Sequence, residues 1–431
     1  MNIIFFAIVM IAFLTAGWKQ LVWIPVGGVP SPIETLSKAM IDSATGSVEL
    51  ALGLVGVMTL FLGLMKVAEA GGLLNILARL IRPLMVRLFP EVPPEHPAMG
   101  AMILNLSANA LGLGNAATPF GIRAMQELDK LNPSPGTATN AMALFLAINT
   151  SSVTLLPTGV IALRAAAGSN DPAGILPTTL IATMASTAIA ILAAKLYQRF
   201  FKAGAPHADG VNPETKMEAS EDLNETAGDP SGSYPLWVSV AALGGLVALI
   251  PVTVIYGRVV SPWIIPLIMV GFLGFGVSRR VRVYEVFVEG AKEGFQVAIK
   301  IIPFLVAILV AVGMFRASGA MDIMVKWLGG VTGRFGLPAE ALPMALMRPL
   351  SGSGAYGIMA SIINDPAIGP DSYAGYLVTT LQGSTETTFY VLAVYYGAIQ
   401  IRRIRHTLAV ALTADLAGII FAVAACYYLF G

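Results

Sequence analysis

Residues 105–121 read NLSANALGLGNAATPFG, and their setting decides the fold. The stretch is rich in Asn, Ser, Thr and Gly, yet long apolar runs surround it. A lipid-facing helix does not carry such a segment, because each polar group without a partner in hydrocarbon costs several kcal/mol. At membrane depth it is tolerated only against protein or a wet cavity. Of the 431 residues, 56% are hydrophobic and 12% charged, and the mean hydropathy is +0.76. A soluble domain carries about 25% charged residues, so the composition is that of a polytopic membrane protein. The single cysteine, Cys426, excludes an internal disulfide and a thiolate metal cage. A net charge of +1 argues against a nucleic-acid partner.

The N-terminal apolar run lacks the basic opening of a secretory signal and reads as a retained first transmembrane helix. Residues 31–47, with Glu34, Lys38 and Asp42, read as a polar loop, and 48–66 as a second apolar helix. In 68–90, Asn75, Arg79, Arg82 and Arg87 interrupt apolar residues at helical spacing. This predicts an amphipathic helix lying at the interface with its arginines toward headgroups. Residues 98–113 are apolar and run into the quoted stretch, after which the chain turns outward through Arg123, Glu127, Asp129 and Lys130. Residues 139–165 are apolar but broken at Asn149, Thr150, Ser151 and Ser152 and again at Pro157, the pattern of a helix unwound near its middle. Another helix is predicted over 174–198.

Residues 200–233 are rich in Pro, Gly, Ser and acids and have the composition of a flexible linker. They divide the chain into 1–199 and 234–431. Apolar spans follow at about 235–256, 262–278, 297–315, 342–361, 374–397 and 407–430.

The halves match in order. LFLAINTSSVTLLP from Leu144 aligns without gaps to LVTTLQGSTETTFY from Leu377, pairing Asn149 with Gln382, Ser151 with Ser384, Ser152 with Thr385, Val153 with Glu386 and Thr154 with Thr387. A second polar stretch, RPLSGSGAYG at 348–357, falls where the first one does, with Ser351 opposite Ser107. Lys and Arg in short loops mark cytoplasmic ends. Arg279, Arg280 and Arg282, then Arg402, Arg403 and Arg405, and the arginines of 68–90 give the two halves opposite orientations. The fold expected is all-α, with two inverted repeats containing discontinuous helices and interfacial amphipathic helices, ten or eleven spans including re-entrant pieces. Inverted repeats joined by polar breaks are a signature of alternating-access transporters, and they also occur in channels.

These motifs carry a resemblance. Residues 105–121 resemble the signature of spore maturation protein A, whereas RPLSGSGAYGI and QGSTETTFYVLAVYYGA from Gln382 resemble spore maturation protein B. The chain looks like a fusion of the two, 1–199 being A-like and 234–431 B-like. That family falls in the wider Gate, or nucleoside-recognition, group, which implies membrane transport or gating. No GxxxxGK[ST] loop is present, so the chain does not resemble an iron transporter with an attached G domain.

The candidate substrate site takes Asn105, Ser107, Asn109, Asn115, Thr118, Asn149, Thr150, Ser151, Ser152 and Thr154 from the first half. From the second it takes Arg348, Ser351, Ser353, Gln382, Ser384, Thr385, Glu386, Thr387 and Thr388. Neutral amides and hydroxyls suit a small polar solute, or a cation held together with freed carbonyls. The structural alternative is that small and hydroxyl residues pack helices closely, the even-handed reading for Gly112, Gly114, Gly352 and Gly354. Glu386 is an acid inside a neutral span, the expected carrier of a coupling H⁺ or Na⁺, with burial raising its proton affinity and Arg348 its natural ion-pair partner. Asp415 in the last helix is a second candidate relay, or a helix-packing contact. No resident cofactor is expected, no metal set is assigned, and no enzyme motif stands out. Expected partners are membrane lipid and a small polar solute or ion, with a homo-oligomer left open. The reading favoured is an inner-membrane transporter, with a morphogenetic membrane scaffold and an ion channel as alternatives.

Overall fold

The computed structural model describes residues 2–25, 28–112, 114–201 and 234–431. Among them every regular element is helical, apart from one isolated bridge between Thr137 and Arg403. The expected linker, from residue 202 to 233, lies outside the described residues.

The halves repeat one order of elements. After α1 (Asn2–Leu21), the first half has a long helix α2 (Pro32–Ala70), an amphipathic helix α3 (Leu73–Leu88), a hairpin of α4 (Pro97–Ala110) and α5 (Gly114–Lys130), a broken pair α6 (Asn140–Thr150) and α7 (Thr158–Ala166), and α8 (Leu176–Tyr197). The second half adds α9 (Leu236–Ser278). It then repeats the order as α10 (Val283–Ala317), α11 (Ala320–Thr332), a hairpin of α12 (Leu342–Met347) and α13 (Gly352–Ile363), a broken pair α14 (Tyr373–Ser384) and α15 (Thr388–Ala398), and α16 (Thr407–Phe430). Each long helix passes to its amphipathic helix through a glycine of positive φ, Gly72 at +86° and Gly319 at +79°. A Cβ strains that backbone region. The first elbow turns the chain by 68°, and α3 then buries Leu74, Ala78 and Met85.

The two halves run antiparallel to each other. Along α2 and α10, Lys66 meets Glu293 at 3.1 Å, while Gly313 lies against Ser43 toward the opposite ends. Along α8 and α16, Tyr197 meets Thr413 at 3.2 Å, whereas Thr178 and Cys426 converge on Thr380 at 2.7 and 3.4 Å. The chain entering α6 pairs with the chain leaving α15, Ala138 N donating to Arg403 O at 2.9 Å. The chain leaving α7 pairs with the chain entering α14 through Arg164. Such reciprocal start-to-end contacts are what inversion of the repeat requires.

Several boundaries differ from the sequence reading. Residues 31–47 are not a loop: α2 starts at Pro32, capped by Ser31, whose hydroxyl accepts from Glu34 N while Glu34 takes Ser31 N. This Ser-x-x-Glu capping box outweighs the local polarity. The two spans expected at 235–256 and 262–278 are one continuous helix, α9. The chain after residue 121 does not simply turn outward but stays helical to Lys130. α10 begins at Val283 rather than near 297, and the span at 342–361 is divided at 348–351 into α12 and α13. Among the described residues two helices, α8 and α16, are long and apolar enough to cross a membrane alone, and a bent pair of α2 and α3 makes up to three.

The Arg164 clasp joins the halves at one end. Arg164 is wholly buried. Its guanidinium donates to Pro370 O at 2.6 Å and Asp371 Oδ1 at 2.9 Å and lies 4.2 Å from the Tyr376 ring centre. Burial opposes ionisation of Asp371, but hydrogen bonds from Ser169 and from the Asn170 backbone, with the charge of Arg164, outweigh it and hold the carboxyl below its ordinary value of 3.8. The contribution of Asp371 is therefore full above that value and is lost as pH falls through the lower folded value. Asp371→Asn should cost on the order of 3 kcal/mol, because it strands a buried cation. Thermal unfolding in detergent should show the wild type losing part of its stability below pH 4, with that component missing in the variant.

Candidate functional site

Breaking α6 and α14 frees backbone groups that need partners away from water. In the first half, Leu155 N in the break donates to Ala110 O at the tip of the α4–α5 hairpin, 2.9 Å. In the second, Phe389 N just after the break donates to Pro349 O in the α12–α13 hairpin, 3.1 Å. Each hairpin thus supports the break that follows it. The breaks also join each other, Glu386 N donating to Thr150 O at 2.8 Å. Arg348 closes the group: its guanidinium donates to Thr385 O and to Thr387 Oγ1 at 3.2 Å, and it lies 3.6 Å from Glu386.

These elements enclose a cavity of about 470 Å³. Of the expected site residues, Thr154, Arg348, Ser353, Gln382, Glu386 and Thr387 line it. Both halves contribute, and the charged side chains on its wall are an Arg and a Glu set against each other. Glu386 is not buried as expected: half of its side chain (52%) is exposed, whereas Arg348 is buried. Behind the wall, Asp415 is buried in α16 and accepts from Thr388 Oγ1 at 2.7 Å. Its Oδ1 has no partner among the described residues, nor has Gln382 Oε1. A carboxylate oxygen beside a hydroxyl is hard-cation or proton chemistry.

Among the described side chains, the remaining expected residues stand outside the cavity lining. Asn105 donates to Ala117 O at 2.7 Å and to the Tyr395 hydroxyl at 3.1 Å, tying the first hairpin to α15. Asn109 donates to Asn149 Oδ1 at 2.9 Å, and Asn149 donates to Phe145 O at 3.0 Å. Ser107, Thr150, Ser151 and Ser384 each bond a carbonyl of their own helix one turn back. Ser351 caps α13. Ser152 and Thr385 are buried, and Thr118 is half-buried in α5. The Asn115 side chain lies outside the described ones.

The cavity also uses residues that the sequence did not single out: Thr158, Gly159 and Tyr356. Tyr356 donates to Gly159 O at 2.5 Å, linking α13 to α7. Its signal was an aromatic ring inside the polar stretch 348–357. Gly112 lines the cavity as well, and a Cβ there would stand 2.6 Å from Leu156 O, so close packing accounts for it.

The Gate family, described as nucleoside recognition, matches residues 51–202 and 298–402. Spore maturation protein B of Bacillus subtilis (strain 168) is 46% identical over 167 residues, 39% of this chain and 93% of its own length. Spore maturation protein A of the same organism is 46% identical over 160 residues, 37% of this chain and 82% of its own length. Among solved structures, that of CNTnw in an inward-facing substrate-bound state aligns at a TM-score of 0.44 with 14% identity, covering 98% of this chain and 90% of that one.

The two amides of the breaks should behave differently. Asn149→Ala removes the acceptor of Asn109 and should lower stability by about 1–3 kcal/mol. Gln382→Ala removes a group whose oxygen is unpartnered and should stay within about 0.5 kcal/mol of wild type. Melting temperatures of the two purified variants check this.

Proposed function

We propose a transport role for this chain, which belongs to the Gate (nucleoside recognition) family: it moves a small polar solute across the bacterial cytoplasmic membrane by alternating access. The observation that carries the reading is the pairing of the two breaks, Glu386 N to Thr150 O, beside one cavity lined by both halves. A site placed where two inverted halves meet can be opened to either side by rocking one half against the other.

The chemistry of the wall sets the solute class. Arg348 and Glu386 offset each other, so the cavity favours a net-neutral solute rich in donors and acceptors over a free anion or cation. Thr154, Ser353, Gln382 and Thr387 supply hydroxyl and amide partners, and Tyr356 a single aromatic ring. Nucleosides fit that description, as do small polyols and neutral amino acids. Glu386 is the coupling acid in this reading, with Asp415 the second carboxylate behind it, and H⁺ or Na⁺ the ion they take.

Thermal stability of the purified protein, screened over nucleosides, polyols, amino acids, dicarboxylates, Na⁺ and pH, identifies the ligand. A solute at a hundred times its Kd stabilises by about 2.7 kcal/mol. The expected outcome is a specific hit that Glu386→Gln abolishes, followed by saturable uptake of the same solute into proteoliposomes. Unitary currents without saturable uptake, or no uptake by well-folded protein, would overturn the proposal.

A further inference from the structure

The first break has a second side. Along residues 152–157 the chain is not helical, and its side chains divide between two cavities. Thr154 and Leu156 line the polar cavity, whereas Ser152, Val153 and Leu155 line a different one. This second cavity holds about 300 Å³. It lies between α3, α4, α8 and α9, and its wall includes Leu80, Leu84, Leu106, Ile191 and Ala242. Val153 occupies the repeat position of Glu386, so the acid of one half is replaced by a hydrocarbon wall in the other.

The wall offers water very little. The Ser239 hydroxyl donates to Leu80 O at 2.6 Å, and the Thr187 hydroxyl donates to Ser151 O. A buried water needs two to four polar partners, and an apolar cavity without them stays dry and takes hydrocarbon. One end carries two basic side chains, with Glu91 beside Lys195 in a small neighbouring hollow. Lys195 Nζ donates to Leu88 O at 3.1 Å, where Leu88 is itself part of the wall. Arg87, next in sequence, is exposed. Apolar depth with ammonium and guanidinium groups at the C-terminal end of the amphipathic helix matches an anionic amphiphile.

We propose that this cavity is a binding site for one acyl chain of an anionic membrane phospholipid, with its phosphate at Lys195 and Arg87. The chain packs against Val153 and Leu155 and so supports the non-helical segment from the side away from the polar cavity. The site is independent of which solute, if any, the polar cavity takes.

Native mass spectrometry of the full chain in mild detergent, titrated with palmitoyl-oleoyl phosphatidylglycerol, tests it. Ala242→Trp and Leu80→Trp fill the cavity from two different helices, so a folding failure in one leaves the other to decide. The expected result is that both lose one tightly held lipid that the wild type retains. Lys195→Gln with Arg87→Gln should weaken that lipid about tenfold, a change of 1.4 kcal/mol, and should weaken phosphatidylcholine with the same chains, whose choline offsets its phosphate, clearly less. An unchanged lipid count in either folded filling variant would overturn the site. Equal weakening of both lipids would overturn the headgroup assignment.

Discussion

The structure depends on how backbone groups are satisfied where helices are broken inside an apolar protein. An unpaired amide or carbonyl there costs several kcal/mol, so a break persists only if something supplies partners. The chain meets this with its own hairpins. Ala110 O takes Leu155 N, Pro349 O takes Phe389 N, and Thr150 O takes Glu386 N across the halves. Arg348, buried among them, supplies what the backbone does not by donating to Thr385 O. The cavity follows from this arrangement, since two breaks held against two hairpins leave a polar hollow that no helix fills.

Inversion of the halves turns one solution into a pair. Both broken helices are held at their ends by the opposite half, at Arg164–Asp371 on one side and at Ala138–Arg403 on the other. The two clasps differ in strength and kind. One is a buried guanidinium with a carboxylate and carbonyls around it, and the other is mainly backbone pairing. The halves differ in the same sense at the centre, where Glu386 stands against Val153 and the polar cavity against the apolar one. The repeat supplies the geometry, and the differences between its copies supply direction and chemistry.

Much of this was legible in the sequence, because membrane depth makes polarity conspicuous. The breaks at 149–154 and 382–388, the amphipathic helix α3, the order of elements and the opposed halves all showed as departures from an apolar background. What the sequence hid was direction within each segment. Asn149 and Thr154 belong to one polar cluster, yet Asn149 satisfies Asn109 while Thr154 lines the cavity. Composition carries no information about which side of a broken helix a residue takes. Glu386 was expected to be buried, but half of its side chain is exposed and it stands on the cavity wall. The misread loop at 31–47 had its signal in plain view, a Ser-Pro-Ile-Glu helix start that local polarity masked.

In the proposed transport role, one cavity between the breaks serves both sides of the membrane in turn. Cys426 is the only cysteine and is buried, so a Cys426→Ser background gives a clean reporter. Thr154→Cys and Ser353→Cys would then be placed in that background, one on each half of the cavity wall. Labelling by a membrane-impermeant thiol reagent is measured in right-side-out and inverted vesicles, with and without a saturating ligand. Both positions should react from one side at a time, and ligand or pH should move the reactivity to the other side. Reaction from both sides at once, or from neither under every condition, would contradict it.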